Sequence, residues 1–303
     1  MKLNFFRHYY FFFIFSLIVL LAGGFSLLKW GLRSSVDFAG GSLLKIQIIS
    51  VYQSMLTSDD IQQTIGDSFE LSSIQSTSNN GWILRGKEIN NEVKTQVISL
   101  LSEKYGTVVE QQFHTVGPIL GKELLIKTII GIIIVSIGIM LYVMRQFSEL
   151  KYGVSAILAM LHDSAILIGM FSIFGHFFHA EVDVLFVTAL LTTLSFSIHD
   201  TIVVYDRIRE LRKKHFKTEV KELANIAVLQ TLSRSINNSL TIIFMLIVLV
   251  LLGGETLRWF SIALLVGAIT GTYSSTFTAI PLVLLWDDLI KKFNVKKLKV
   301  NKK

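Results

Sequence analysis

Residues 184–204 read VLFVTALLTTLSFSIHDTIVV. The stretch is long enough to cross a hydrocarbon core about 30 Å thick as a helix. Its one full charge is Asp200. An ionisable side chain inside a span is costly to keep, so it marks a place where something happens. The composition agrees with a membrane protein. Of 303 residues 51% are apolar and only 17% charged, where a soluble domain carries about 25% charged residues. The mean hydropathy is +0.57. These values exclude disorder, and 20 glycines with no cysteine exclude a collagen-like or disulfide-stapled chain.

Outward from 184–204, five more stretches are apolar enough to span: 9–28, 124–144, 153–174, one ending at Leu252, and 261–286. The one ending at Leu252 has an apolar core only from Ser239, so a full crossing reaches back toward Ser233. The N-terminal stretch is too long for a signal peptide and lacks a small-residue cleavage site before Lys29, so it is expected to be a retained helix. With the N-terminus inside, segments 1–8, 145–152, 205–238 and 287–303 carry 19 Lys+Arg, against 8 in 30–123, 175–183 and 253–260. Basic residues favour the cytoplasmic side, which puts both termini there. The net charge of +7 is thereby an orientation signal and not the footprint of a nucleic-acid-binding protein. The expected domains are 1–29, with the first span; 30–123, outside; 124–286, with five spans and a cytoplasmic loop 205–238; and a basic tail 287–303.

The 94-residue segment 30–123 has a soluble balance of 7 basic and 10 acidic residues. Alternation marks strands at Ser42–Ile49, Phe69–Thr77, Trp82–Arg85 and Thr107–Thr115, with Asn80-Gly81 suited to a hairpin turn. Helical spacing marks Ser58 to about Asp67, with Ser58 as N-cap, and Glu88–Tyr105, stopped by Gly106. The order is βαββαβ, a ferredoxin-like domain. Asp37 and His114 are its candidates for acid–base work, read as isolated surface residues. Gly117-Pro-Ile-Leu-Gly-Lys122 departs from a phosphate loop in spacing and in the residue after the lysine, so no nucleotide site is expected.

Three charges are left that orientation cannot explain. At 1.5 Å rise per residue, Asp163 lies about 16 Å and Asp200 about 24 Å from the outer ends of their spans, and Arg234 about 27 Å from Leu252. Asp200 and Arg234 are therefore expected to pair, a switch that protonating the aspartate would open. Asp163 is either part of the proton path or polar glue between helices. His162 and His199 each precede an aspartate. They either satisfy neighbouring groups or relay protons, and adjacent residues point about 100° apart, so neither dipeptide makes a metal site. No cofactor is implied. Gly267-Ala-Ile-Thr-Gly271, followed by Thr272, Tyr273, Ser274 and Ser275, suits close packing or sliding. Between the fourth and fifth spans, 206–217 reads as a solvated charge run and 219–232 as an amphipathic helix on the inner surface. No G-x-G-D, G-x-S-G or H-E-x-x-H is present, which argues against an intramembrane protease.

Several motifs then form a set. Val36-Asp-Phe-Ala-Gly-Gly-Ser42, with Asp37, Gly40 and Gly41, resembles the V-D-F-T-G-G-T signature of the SecF family, subunits of the bacterial protein-export machinery. Leu161-His162-Asp163 matches the family's H-D. Ser195-Phe-Ser-Ile-His-Asp-Thr-Ile-Val-Val-Tyr-Asp-Arg-Ile-Arg-Glu210, which includes Asp206 and Arg207, resembles G-Y-S-I-N-D-T-V-V-V-F-D-R-I-R-E. Thr231-Leu-Ser-Arg-Ser-Ile-Asn-Asn-Ser-Leu240 and Gly271-Thr-Tyr-Ser-Ser275 resemble the remaining two motifs. The resemblance implies a resistance-nodulation-division type fold, a multi-pass place in the bacterial cell membrane, and a complex with SecD and the SecYEG channel. It also implies use of the proton motive force to help draw unfolded polypeptide across, with proton coupling carried onto Asp200 and Arg234. Ser195, His199 and Ser35 depart from the family's Gly, Asn and Gly, and His199 can titrate near neutral pH. The rival reading is a proton-coupled exporter of a small molecule or lipid on the same fold, against which the small outer domain weighs. A passive assembly subunit, for which Asp200 would be dispensable, is the third.

Overall fold

A computed structural model describes residues 6, 9–49, 56–77, 80–147 and 149–300, the side chains of 255, 256 and 291–300 excepted. In chain order the elements are α1 (Tyr10–Trp30), α2 (Val36–Ala39), β1 (Gly41–Ile49), α3 (Ser58–Ile65), β2 (Leu71–Thr77), β3 (Gly81–Gly86), α4 (Asn91–Tyr105), β4 (Thr107–Val116), α5 (Pro118–Gln146), α6 (Leu150–Phe178), α7 (Val184–Lys214), α8 (Val220–Leu252), α9 (Gly254–Phe277) and α10 (Ala279–Val300). Among the described residues six helices are long and apolar enough to span a membrane: α1, α5, α6, α7, α8, and α9 with the start of α10. α9 stops at Phe277 because Pro281 has no N–H for the Phe277 carbonyl. Thr278 N–H still donates to the Ser274 carbonyl (2.9 Å) and Leu282 N–H to that of Thr278 (3.1 Å), so one span continues through the break. The chain divides into two compact units, Ser34–Ile130 and the remainder.

In Ser34–Ile130 the four strands form one antiparallel sheet in the order β2-β3-β1-β4, as the βαββαβ reading requires. Strand alternation sends Leu44, Ile46, Ile48, Trp82 and Leu84 to the face covered by α3 and α4, where they meet Ile61, Ile65, Val97 and Leu101. The N-cap of α3 is Thr57, not Ser58. Its side chain accepts from Asp60 N–H (3.3 Å) while the Asp60 carboxylate accepts from Thr57 N–H (2.9 Å), closing a capping box that Ser58 is too late to make. In the hairpin turn Asn80 takes a left-handed conformation (φ 56°).

The Val36–Ser42 motif is a corner. Ser35 caps α2 by accepting from Asp37 N–H. Gly40 and Gly41 then turn the chain into β1 with φ of 76° and 118°, and a Cβ on Gly40 would stand 2.7 Å from Cα of Pro118. A Cβ on Gly121 would stand 3.0 Å from Gly40 N. Gly117–Lys122 is thus the first turn of α5 packed on that corner. Asp37 and His114 are not isolated: His114 Nε2 and Asp37 Oδ1 lie 3.0 Å apart and tie α2 to β4.

In the helical unit the crossings turn on small residues. Gly23 of α1 meets Gly169 of α6, where a Cβ on Gly169 would lie 2.7 Å from Cα of Gly23. One turn on, the Ser26 and Ser172 hydroxyls bond at 2.8 Å. One apolar cluster gathers Leu167, Phe171, Phe186, Leu190 and Ala263, and another Tyr152, Met160, Val204, Tyr205 and Ile280. On α6 Asp163 lies between the two clusters in sequence, and on α7 Ser197 and Asp200 are interleaved with Leu194, Ile198 and Val204 of the second.

The segment 205–238 is not a loop. It is helix except for 215–219. Glu210 pairs with Lys214 and with Arg207 along the helix, which carries α7 to Lys214. Residues 220–252 contain neither Gly nor Pro, so the amphipathic stretch 219–232 is the first half of α8 and not a separate surface helix. Nor is 206–217 a merely solvated run. Arg207 Nε donates to Gln230 of α8 (2.7 Å), Arg209 to the Gln146 carbonyl (3.3 Å), and Arg212 to Glu149 (3.0 Å). Lys2, Arg7 and the tail side chains beyond Ile290, counted in the orientation, lie outside the described residues.

Candidate functional site

α6 extends to Phe178, four residues past the expected end of the third span. His179 closes it in a left-handed conformation (φ 58°), and His176 stays helical because its ring stacks on Trp30 at 4.0 Å. Measured from Phe178, Asp163 lies about 22 Å deep and not about 16 Å, level with Asp200 at about 24 Å from Val184. The two aspartates therefore occupy one layer.

Asp163 is 3% exposed. Its Oδ2 accepts from Ser197 Oγ of α7 and from Ser274 Oγ of α9, both at 2.5 Å. Its Oδ1 lies 3.0 Å from Nδ1 of His162. The buried Nε2 of His162 has no hydrogen-bond partner among the described residues. Asp163 thus joins three helices.

Asp200, 5% exposed, accepts one hydrogen bond, from Ser235 Oγ of α8 at 2.7 Å. The expected Asp200–Arg234 pair is not formed. Depth found the correct turn of α8, but one residue is about 100° of rotation, which brings Ser235 inward and leaves Arg234 exposed. His199 is exposed as well, and it acts on Asp200 through its charge and not through a hydrogen bond. Asp206 is exposed and Arg207 half-buried on Gln230.

Small residues bring α9 to this layer. A Cβ on Gly267 would collide with the Thr193 side chain, and one on Gly271 would stand 3.3 Å from Cα of Ser197. The glycine stripe therefore packs on α7 and delivers Ser274 to Asp163. Ser275 is fully buried and bonds the Thr272 carbonyl (3.0 Å). Thr272 donates to Ser239 of α8 (2.6 Å). Ser197, Ser235 and Ser239 are the site residues that sequence reasoning passed over. The available signal was a hydroxyl one turn from, or level with, a buried aspartate.

At the ends of the spans Lys151, 6% exposed, bridges Glu149 (3.0 Å) and Asp287 (2.8 Å). Burial pushes the Glu149 carboxyl up, but the hydrogen bond and charge of Lys151, with Arg212, outweigh it and hold the group below its usual range. Among the described residues no group of three His, Asp or Glu side chains could hold a metal ion.

Comparison with known proteins gives this arrangement a family. The model for "Protein export membrane protein SecD/SecF, C-terminal" matches residues 96–289. The protein translocase subunit SecF of Thermobaculum terrenum is 39% identical over 285 residues, 90% of each chain. The protein translocase subunit SecDF of Bacillus subtilis is 34% identical over 88% of this chain and 36% of its own. The crystal structure of SecDF, a translocon-associated membrane protein from Thermus thermophilus, matches with a TM-score of 0.84 at 30% identity, covering 95% of this chain and 39% of that one. The chain spans nine-tenths of a SecF subunit and little over a third of the SecDF chains. It belongs to the SecD/SecF family of protein-export membrane proteins, and within that family to the SecF subunits.

Proposed function

We propose that the chain is the SecF-type partner of SecD beside the SecYEG channel, in the bacterial cell membrane with both termini in the cytoplasm. There it uses proton flow, without a hydrolytic site of its own, to help draw unfolded polypeptide across. The observation that carries this reading is Asp200: a buried carboxylate in the middle of a span, held by a neutral hydroxyl. Among the described residues no ion pair fixes its charge, so a proton can neutralise it without breaking one, and α8 loses the charge-assisted bond at Ser235 when it does. SecDF relatives that join this region to a longer chain support the pairing with SecD. The sheet face of Ser34–Ile130 opposite α3 and α4, with Lys45 and Gln47, is the surface that would meet the polypeptide.

One charge moving through 100 mV supplies about 2.3 kcal/mol. Reversing a two-state population from 1:99 to 99:1 takes about 5.5 kcal/mol. One proton biases the cycle and does not complete it. The test is Asp200→Asn, which keeps an acceptor for Ser235. Export of a reporter precursor by cells relying on this variant should lose the part that depends on the proton gradient. Undiminished gradient-dependent export would sink the reading. A photo-crosslinker at Gln47 should capture the precursor in transit.

A further inference from the structure

The hydrogen bonds of the polar layer comprise one tie within the pair α8 and α9 and a few ties from that pair to α6 and α7. Thr272–Ser239 ties α9 to α8. Among the described residues two side-chain bonds to buried carboxylates cross from that pair to α6 and α7, Ser274 to Asp163 and Ser235 to Asp200, while Arg207 to Gln230 joins α7 to α8 away from the polar layer. The rest of the α7–α9 contact at this level is the Ser197–Ser274 hydroxyl pair (3.5 Å) and the stripe of Gly267 and Gly271, into whose notches the side chains of Thr193 and Phe196 fit without a further hydrogen bond from α9. We propose that Asp163 is a second latch, read through the positioning residues Ser274 and Ser197, and that Asp163 and Asp200 must both be neutralised before α8 and α9 move as a pair. The cycle then takes two protons per step. This rests on the proton-coupling reading of Asp200.

The chemistry at Asp163 is one-sided. Oδ2 accepts two hydroxyls at 2.5 Å, a length typical of O–H···O⁻ bonds. When one proton from the aqueous phase adds to that oxygen, an O–H bond forms and nothing else is broken covalently. The oxygen then has a proton to give and can no longer hold both hydroxyls. Ser274 has a carbonyl acceptor ready on its own helix, that of Gly271 at 3.3 Å, whereas Ser197 has the Ser274 hydroxyl at 3.5 Å. Asp163 is also shielded from competing charges. On α6 it faces His162. α7 brings Asp200 one turn beyond Ser197, while His199 is exposed. α9 brings Tyr273, whose hydroxyl is engaged with the Phe12 carbonyl (3.0 Å). α1 carries no charged residue from Phe11 to Leu28. The nearest charges toward α10, Lys151 and Asp287, are paired with each other twelve residues away along α6.

The chain has no cysteine, so spin labels at Leu158→Cys on α6 and Ile269→Cys on α9, both exposed, report the relative position of the two helices. The full chain is reconstituted with SecD in phosphatidylethanolamine–phosphatidylglycerol vesicles, and the label distance is followed against pH. The wild-type change should show two-proton steepness. Asp163→Asn and Asp200→Asn should each reduce it to one-proton steepness, and the double variant should hold the low-pH distance throughout. Ser274→Ala should behave as Asp163→Asn, and Ser274→Thr should restore the wild-type profile, which a purely structural role would not do. A wild-type distance indifferent to pH, or an unchanged slope in both Asp163→Asn and Ser274→Ala, overturns the second latch. Loss of export in Asp200→Asn alongside that unchanged slope would leave the proton reading standing and remove only the latch. Undiminished export in Asp200→Asn removes the reading beneath it.

Discussion

The α/β unit and the helical unit are held together by opposite kinds of residue. Between sheet and helices in Ser34–Ile130 the core is large and apolar: Leu44, Ile46, Phe69, Trp82, Leu84 and Leu101. In the bundle, the crossings that matter rest on Gly23, Gly169, Gly267 and Gly271 and on the hydroxyls of Ser26, Ser172, Ser197, Ser235 and Ser274. Water drives the first arrangement, because apolar area leaves it. Lipid tails give no such drive between helices, so contact there depends on close backbone approach and hydrogen bonds. The α/β unit, which has no disulfide to staple it, is built to keep one shape. The bundle can exchange one set of small, weak ties for another.

The sharpest contrast comes from removing bulk. Leu84 is fully buried, and Leu84→Ala should cost the α/β unit about 2–5 kcal/mol, read as accelerated proteolysis of 34–130 in the intact protein while the spans stay protected. The matching damage in the bundle comes from adding bulk. Gly169→Leu forces a side chain into the Gly23 backbone and should cost about 1–3 kcal/mol, read as loss of engineered disulfide formation between α1 and α6. Were Gly169→Leu harmless, the bundle would be packed more loosely than its glycines say. Smaller is Ser26→Ala, which removes one hydroxyl bond to Ser172. Hydrogen bonds between membrane helices average about 0.6 kcal/mol, so a modest drop in the detergent denaturation midpoint is expected. A loss as large as that of Leu84→Ala would erase the distinction.

Legibility in the sequence divides along the same line. Alternation, helical spacing and turn residues carried all four strands of the α/β unit and its helices α3 and α4, but not the one-turn α2, because burial from water leaves a periodic mark. Length and hydropathy carried the six spans. Where a span ends, and which side of it faces inward, left weaker marks. His176 looked like the start of a loop, but its stacking on Trp30 lengthens α6 and moves Asp163 to the level of Asp200. Arg234 lay at the right depth, and its neighbour Ser235 is the one that turns inward. The junction of Gly117–Lys122 with Gly40 was not legible either, since it depends on an approach between residues about eighty apart in the chain.

The smallest expected effect tests how the two units answer to acid. In α3 the Thr57 hydroxyl (2.6 Å) and then its N–H (2.9 Å) hold the Asp60 carboxyl below its usual range. A carboxyl depressed in the folded state adds stability that is complete above its unfolded pKa and is lost as pH falls through the folded one. Protection of α3 against hydrogen exchange should therefore decline gradually over the acid range below the normal carboxylate pKa. Asp60→Asn should lower that protection at neutral pH and flatten its decline. The group is exposed to water and titrates alone, so its response should have one-proton steepness. The distance change between α6 and α9 should be steeper, because two carboxylates hold the same pair of helices. If both regions titrate with one-proton steepness, the bundle has no coupled latch, and its buried aspartates differ from Asp60 only in burial.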